Sequence, residues 1–360
     1  MATEMNKKLV LENGMEFPGC GFGADCDRIC QLVFNTSMVG YQEIVSDPGY
    51  IQQMVVMTYP IVGSYGVNDE DDESRSPAIG GLVVRDYNDQ PSNFRYTKTL
   101  SEAMEEDGIP GISGIDTRQL TRILRSEGIQ KVMLTSLDTP KEEALAAIAA
   151  WEPDKDIVSK VTCKKRWYSR TPNHRYNVVA VDCGIRLSAV KALNALGCNV
   201  TVVPCGTSID RIDSLQADGL YISDGPGDPH HVPYVQELVR HYRGKMPIFG
   251  DGLGHELICL ALGAKMLTMT SGHHGSNHPV RDLDTGKIRM YNQSHRYVLD
   301  PQSLEGTGLR ITHVNVLDGT AEAAELTGEA IFSAQFSPEA DGDMFRRFLK
   351  LMEEGRKNNA

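Results

Sequence analysis

The sequence predicts a two-domain chain, with a mostly β amino-terminal half carrying some helix (α+β) and a carboxy-terminal half of the α/β, doubly wound class. Three observations carry this. At 360 residues the chain exceeds one ordinary domain. Up to about Ser136, short apolar runs alternate with turn residues and little helical periodicity. From Asn177 onward, strand-length apolar runs alternate with helical stretches. That alternation implies a parallel sheet covered on both faces, with ligands at the carboxyl ends of its strands. The expected boundaries are 1–140 for the first domain, 141–176 for a linker and 177–360 for the second domain.

In the first half the strand signals are Leu9-Val-Leu-Glu12, Gln31-Leu-Val-Phe34, Gln53-Met-Val-Val-Met-Thr58 and Gly81-Leu-Val-Val-Arg85. Helix enters late, at Leu100-Ser-Glu-Ala-Met104 and at Asp116–Arg125, where Asp116 is placed to cap the first turn. An alanine-rich helix over 142–150 leads to a basic stretch, Lys164-Lys-Arg166, read as a solvated surface. In the second half, Val178–Asp182, Val200–Val203 and Gly219–Ser223 are strand-like. Leu187–Leu196 and Val232–Arg243 are helical, and Met344–Met352 is a closing amphipathic helix.

Composition narrows the function. Hydrophobic content of 41% and charged content of 23% are those of a soluble globular protein. No run approaches the roughly 18 to 20 apolar residues of a membrane span, and the amino terminus lacks an apolar signal core. A net charge of −12 argues against a nucleic-acid partner. The eight cysteines show no disulfide framework, and Cys20, Cys26 and Cys30 fit no familiar zinc spacing, so they read as structural or incidental thiols in a cytoplasmic protein.

The most informative stretch is Met246–Glu256, a buried strand followed by Gly250-Asp-Gly-Leu-Gly254 and a helix. Strand, glycine-crowded turn and helix in that order make a nucleophile elbow, which holds one residue exposed at the edge of a sheet. The apex residue is Gly252, which has no side chain to act as a nucleophile. Upstream, Ser223-Asp-Gly-Pro-Gly-Asp-Pro229 follows a strand and offers backbone amides. Downstream lie Gln293-Ser-His-Arg-Tyr297 and Phe332-Ser-Ala-Gln-Phe-Ser-Pro-Glu-Ala340.

These segments resemble those of class I glutamine amidotransferases, in which a Cys–His–Glu triad releases ammonia from glutamine. Val33–Ile44 with Ser37, Ser46–Tyr50, Thr58–Pro60, Gly66–Asp71 and Gly114–Arg122 resemble the amino-terminal domain of one branch of that class, the small, glutaminase subunit of carbamoyl-phosphate synthetase. The resemblance implies a chain that supplies ammonia for carbamoyl phosphate in arginine and pyrimidine synthesis. It also implies a large-subunit partner, which carries ATP and magnesium; no cofactor is expected in this chain.

The resemblance further implies a changed site. Gly252 stands at the nucleophile position and Ser337 at that of the histidine, leaving Glu339 of the triad with no histidine to orient. Gly225 and Gly227 correspond to the loop glycines that bind glutamine and its oxyanion, and Leu253 follows the nucleophile position. Ser37 corresponds to a glutamine-contacting serine. Glu256 replaces a glutamine, and Ser294, Arg296 and Tyr297 replace asparagine, glycine and phenylalanine. Cys259, two helical turns beyond the elbow, reads as a core residue. His273, His274 and His278 match the family as structural residues, and no metal is expected.

Two functions follow as expectations. In one, the chain has lost its glutaminase and serves as a structural or regulatory subunit of an ammonia-using synthetase. In the other it is a stand-alone pseudoenzyme that binds another charged metabolite between Glu256 and Arg296. Hydrolysis through an unrecognised nucleophile such as Cys259 is a third reading.

Overall fold

The computed structural model describes residues 5–75, 79–338 and 342–358. The chain divides into two compact units, Met1–Asp154 and Lys155–Ala360.

The first unit is built on a closed barrel of seven strands. Around the barrel they run Lys7–Leu11, Glu16–Gly23, Pro110–Ser113, Gly81–Val83, Gln53–Met57, Arg28–Asn35 and Gln130–Ser136. Side-chain alternation lets the apolar residues of these runs feed two separate clusters. Leu9, Leu11, Leu32, Phe34, Met54, Val56, Val132 and Leu134 join one buried cluster with Leu120 and Leu124 of the helix Thr117–Glu127. Val33, Val55, Met57 and Leu82 point the other way, into a cluster with residues of the helices Tyr41–Ser46 and Leu100–Glu106. Asp116 caps its helix as expected, its carboxylate accepting from the Gln119 amide at 3.0 Å. Within the stretch read as a linker, the helix Lys141–Ala150 packs Ala144 and Ile148 against Val10 of the barrel. Trp167–Ser169 forms the edge strand of the second unit.

The second unit is a ten-stranded sheet. Its centre is parallel, in the order Cys198–Pro204, Tyr176–Asp182, Gly219–Ile222, Ile248–Asp251, Ile331–Ala334. An antiparallel extension continues through Ala321–Leu326, Ile288–Leu299, Met266–Asp282 and Leu309–Asn315. The sequence reading did not anticipate this extension, because the Gly- and His-rich run 271–278 breaks strand periodicity. The strand entering the elbow is anchored by aromatics. Phe249 lies directly opposite Phe332 and stacks on it at 4.6 Å, and Phe345 of the helix Asp343–Asn358 meets Phe249 edge-on at 5.6 Å.

Fully buried among aromatic rings, Phe249 should contribute strongly to the second unit. Phe249→Ala is expected to cost about 3–5 kcal/mol in urea unfolding followed by circular dichroism. A loss below about 1 kcal/mol would show that the elbow strand is held by something other than this packing.

Candidate functional site

The elbow forms as expected. Ile248–Asp251 pairs in parallel with Gly219–Ile222 on one side and with Ile331–Ala334 on the other. Gly252 then turns the chain into the helix Leu253–Ala261, at φ 49° and ψ −117°, while its amide donates to the Ala334 carbonyl at 3.0 Å. Few residues adopt such angles without strain. The helix can start this close to the sheet because of Gly254, whose Cβ, if present, would lie 2.1 Å from the Ile222 carbonyl oxygen.

What occupies the apex is the carboxylate of Asp224, from the loop after Gly219–Ile222. A Cβ added at Gly252 would lie 1.9 Å from Asp224 Oδ1. The same oxygen accepts from the Gly225 amide at 2.8 Å and from the Leu253 amide at 3.0 Å. The two amides thus converge on one point, and a protein carboxylate sits there. Gly227, at φ 96°, lies further along the loop, where an added Cβ would meet Ile157 at 2.6 Å.

Asp224 is held from behind by a buried polar cluster. Arg186, at the start of the helix Leu187–Ala195, approaches Asp251 Oδ2 at 3.1 Å and Asp224 Oδ2 at 3.7 Å. Its Nη1 donates to Ser337 Oγ at 2.6 Å. Asp251 Oδ1 accepts from the Tyr221 hydroxyl at 2.6 Å and from the Asp224 amide at 3.1 Å. Burial pushes the Asp251 carboxyl up to about 6, outweighing the downward pull of Arg186, and burial likewise raises the Tyr221 hydroxyl. One guanidinium therefore faces two carboxylates, of which the deeper holds its proton more tightly than an exposed aspartate does.

The remaining expected residues scatter around this centre. Ser337 follows the strand Ile331–Ala334, and its amide donates to the Asn292 carbonyl at 2.9 Å. Glu339 lies outside the described residues. Glu256 is buried on the elbow helix and accepts from Gln335 Nε2 at 2.9 Å, while burial raises its carboxyl. It forms no ion pair with Arg296 among the described residues. Arg296 Nε is instead buried with no hydrogen-bond partner. Ser294 Oγ lies 3.4 Å from His274 Nδ1. Burial, reinforced by the Asp228 carboxylate, lifts the Tyr297 hydroxyl to about 12. Ser37 lies in the first unit, just after Arg28–Asn35, with its amide donating to Asn35 Oδ1 at 2.8 Å.

Cys259 is fully buried. Its sulfur lies 3.9 Å from both ring nitrogens of His255, but burial raises the thiol to about 12 and lowers His255 to about 3. That pair is a neutral thiol beside a neutral imidazole, not an activated nucleophile. All eight cysteines are free. Among the described residues no helix is long and apolar enough to cross a membrane.

The residues the sequence reading missed are Asp224, Arg186, Asp251 and Tyr221. A signal was present at Asp251, a charge between two elbow glycines at the end of an apolar strand.

The glutamine amidotransferase class-I family model matches residues 179–350, within the second unit. "Carbamoyl-phosphate synthase small chain, CPSase domain" matches residues 9–134. The chain is 42% identical over 359 residues to the carbamoyl phosphate synthase small chain of Bacillus caldolyticus, covering 98% of each. It is 41% identical over 356 residues to that of Listeria innocua, covering 96% of this chain and 98% of the relative. It is also 42% identical over 358 residues to the carbamoyl phosphate synthase pyrimidine-specific small chain of Halalkalibacterium halodurans, covering 98% of each. The chain belongs to the carbamoyl phosphate synthase small chain family.

Two outcomes test the site. Gly252→Ala should destabilise the chain by about 1–3 kcal/mol through collision with Asp224. Combining it with Asp224→Ala should recover part of that loss, giving a favourable coupling of at least about 0.5 kcal/mol in a double-mutant cycle. Strict additivity would mean that Asp224 does not fill the apex.

The second outcome concerns pH. With Asp251 raised from 3.8 to about 6, the folded state binds a proton that the unfolded state has released. Stability therefore falls as pH rises through this window, by on the order of 3 kcal/mol. Asp251→Asn should flatten the decline between about pH 4 and 6 in denaturant unfolding. A wild-type chain that instead gains stability relative to Asp251→Asn over that range would show that Arg186 governs the carboxyl.

Proposed function

We propose that this chain is a small chain that has lost its own glutaminase. In this reading it is a structural or regulatory subunit of a synthetase that makes carbamoyl phosphate, for pyrimidine or arginine synthesis, from free ammonia. Its partner is a carbamoyl-phosphate synthetase large subunit, which carries the ATP and magnesium sites.

The observation that carries the proposal is the Asp224 carboxylate at the apex. Glutamine hydrolysis needs a nucleophile there and free amide donors for the oxyanion. Here the apex residue is glycine, and both converging amides, those of Gly225 and Leu253, already donate to Asp224. A negative oxyanion would have to displace a negative carboxylate held by two amides and Arg186. Ser337 has no group that titrates near neutrality and cannot serve as the proton shuttle. These features reinforce one another, since restoring any single catalytic residue leaves the others in place.

A second reading, a stand-alone pseudoenzyme, draws on the buried Nε of Arg296, which has no partner. Because burial raises the Glu256 carboxyl and the two do not pair, the ligand that fits this reading is anionic rather than zwitterionic.

The deciding experiment mixes the chain with the large subunit from the same organism and measures carbamoyl-phosphate formation with ammonium or glutamine as nitrogen source. Turnover with ammonium alone is expected, together with co-elution of the two chains. Turnover with glutamine would overturn the loss of glutaminase. No complex and no turnover would favour the stand-alone reading.

A further inference from the structure

The antiparallel extension brings together two histidines and a glutamate that the sequence keeps apart. His273 on Met266–Asp282 lies directly opposite His295 on Ile288–Leu299, and their rings meet edge to face with centroids 5.0 Å apart. Glu322, on Ala321–Leu326, approaches both. Its Oε1 is 3.3 Å from His273 Nδ1, and its Oε2 is 3.6 Å from His295 Nε2. One ligand atom from each residue lies within 4.8 Å of the others. His295 and Glu322 are almost wholly buried, with side-chain exposures of 2% and 0%.

The outer nitrogen of each ring is already committed. His273 Nε2 bonds Asp318 Oδ2 at 2.8 Å, and His295 Nδ1 bonds the Tyr297 carbonyl at 3.0 Å. A carbonyl and a carboxylate can only accept, so both outer nitrogens carry the hydrogen. In the neutral tautomers this turns the lone pairs of His273 Nδ1 and His295 Nε2 inward, toward a carboxylate that offers more lone pairs. His273 Nδ1, His295 Nε2 and Glu322 Oε2 are all buried without a hydrogen-bond partner. Three acceptors converging in a dry site call for a shared cation, either a metal ion or the proton of a protonated His273 shared with Glu322 Oε1 at 3.3 Å.

We propose that His273, His295 and Glu322 form a binding site for one divalent transition-metal ion, zinc by its donor set. Two imidazoles and one carboxylate, with a fourth position left open, are a common zinc arrangement. Ligands 2.0–2.1 Å from a tetrahedral centre stand roughly 3.3 Å apart, near both carboxylate-to-imidazole separations. Asp318 and the Tyr297 carbonyl are the partners that fix ligand histidines in orientation. The metal reading set aside on the sequence concerned His273, His274 and His278 from a single strand. This site takes one of them and joins it to residues from two other strands. Its place in the fold gives it a task, because the ion would clamp the long hairpin to Ala321–Leu326 and fix His295, whose neighbours are Ser294 and Arg296.

The test uses the full chain, stripped with chelator and titrated with Zn²⁺ against a chromophoric competitor. One tight equivalent per chain is expected, and Co²⁺ in its place should give the visible bands of tetrahedral coordination. Glu322→Gln and His295→Gln should abolish the equivalent. Asp318→Asn, a half-exposed change that leaves the fold intact, should weaken it about 10–100-fold. No tight equivalent in the wild-type chain would overturn the proposal and leave a proton as the shared cation. An equivalent that survives Glu322→Gln and His295→Gln with unchanged affinity would place the metal elsewhere, for example on the cysteines, and would overturn it equally.

Discussion

A single carboxylate oxygen organises the candidate site. Asp224 Oδ1 accepts from two backbone amides that the sheet delivers from different strand ends, and it fills the space above Gly252. Hydrogen bonds to a charged acceptor are roughly twice as strong as neutral ones, and Arg186 adds an ion pair from behind. Glycine at 252 is then a requirement of the site rather than only an absence, since any side chain would strike the carboxylate. Asp224, Gly252, Arg186 and Asp251 form one constellation, in which changing any member exposes a charge or creates a collision.

The fold supplies the convergence. Parallel strands end on the same edge of the sheet, so the loop after Gly219–Ile222, the elbow after Ile248–Asp251 and the segment after Ile331–Ala334 meet there. Close packing at Gly254 and the aromatic stack of Phe249 on Phe332 hold these ends in register. Because the scaffold is set by apolar burial, it is indifferent to which polar groups stand on its edge. The same architecture can therefore carry an Arg–Asp cluster at this edge.

Much of this was legible in the sequence. The elbow glycines, the Gly-Pro-Gly-Asp-Pro loop and the strand–helix alternation are local patterns with local causes, and the structure forms each of them. The role of Asp224 was not legible. It reads as one more polar residue in a turn until the Leu253 amide, 29 positions later, is found 3.0 Å away. Arg186 and Asp251 are 65 residues apart and meet only through the sheet order. The partner of Glu256 was not legible either, since Gln335 lies 79 positions away and reaches it only through the sheet order. The hairpin containing His273 and His295 carries little strand periodicity, and cross-strand register is the one thing that unites those rings.

The most direct test of the account is a crystal structure of the chain grown with L-glutamine, read at Asp224. The expected density keeps Asp224 Oδ1 within hydrogen-bond distance of the Gly225 and Leu253 amides, with no ligand atom above Gly252. A carboxylate swung away, with the glutamine side-chain oxygen accepting from those two amides, would contradict it.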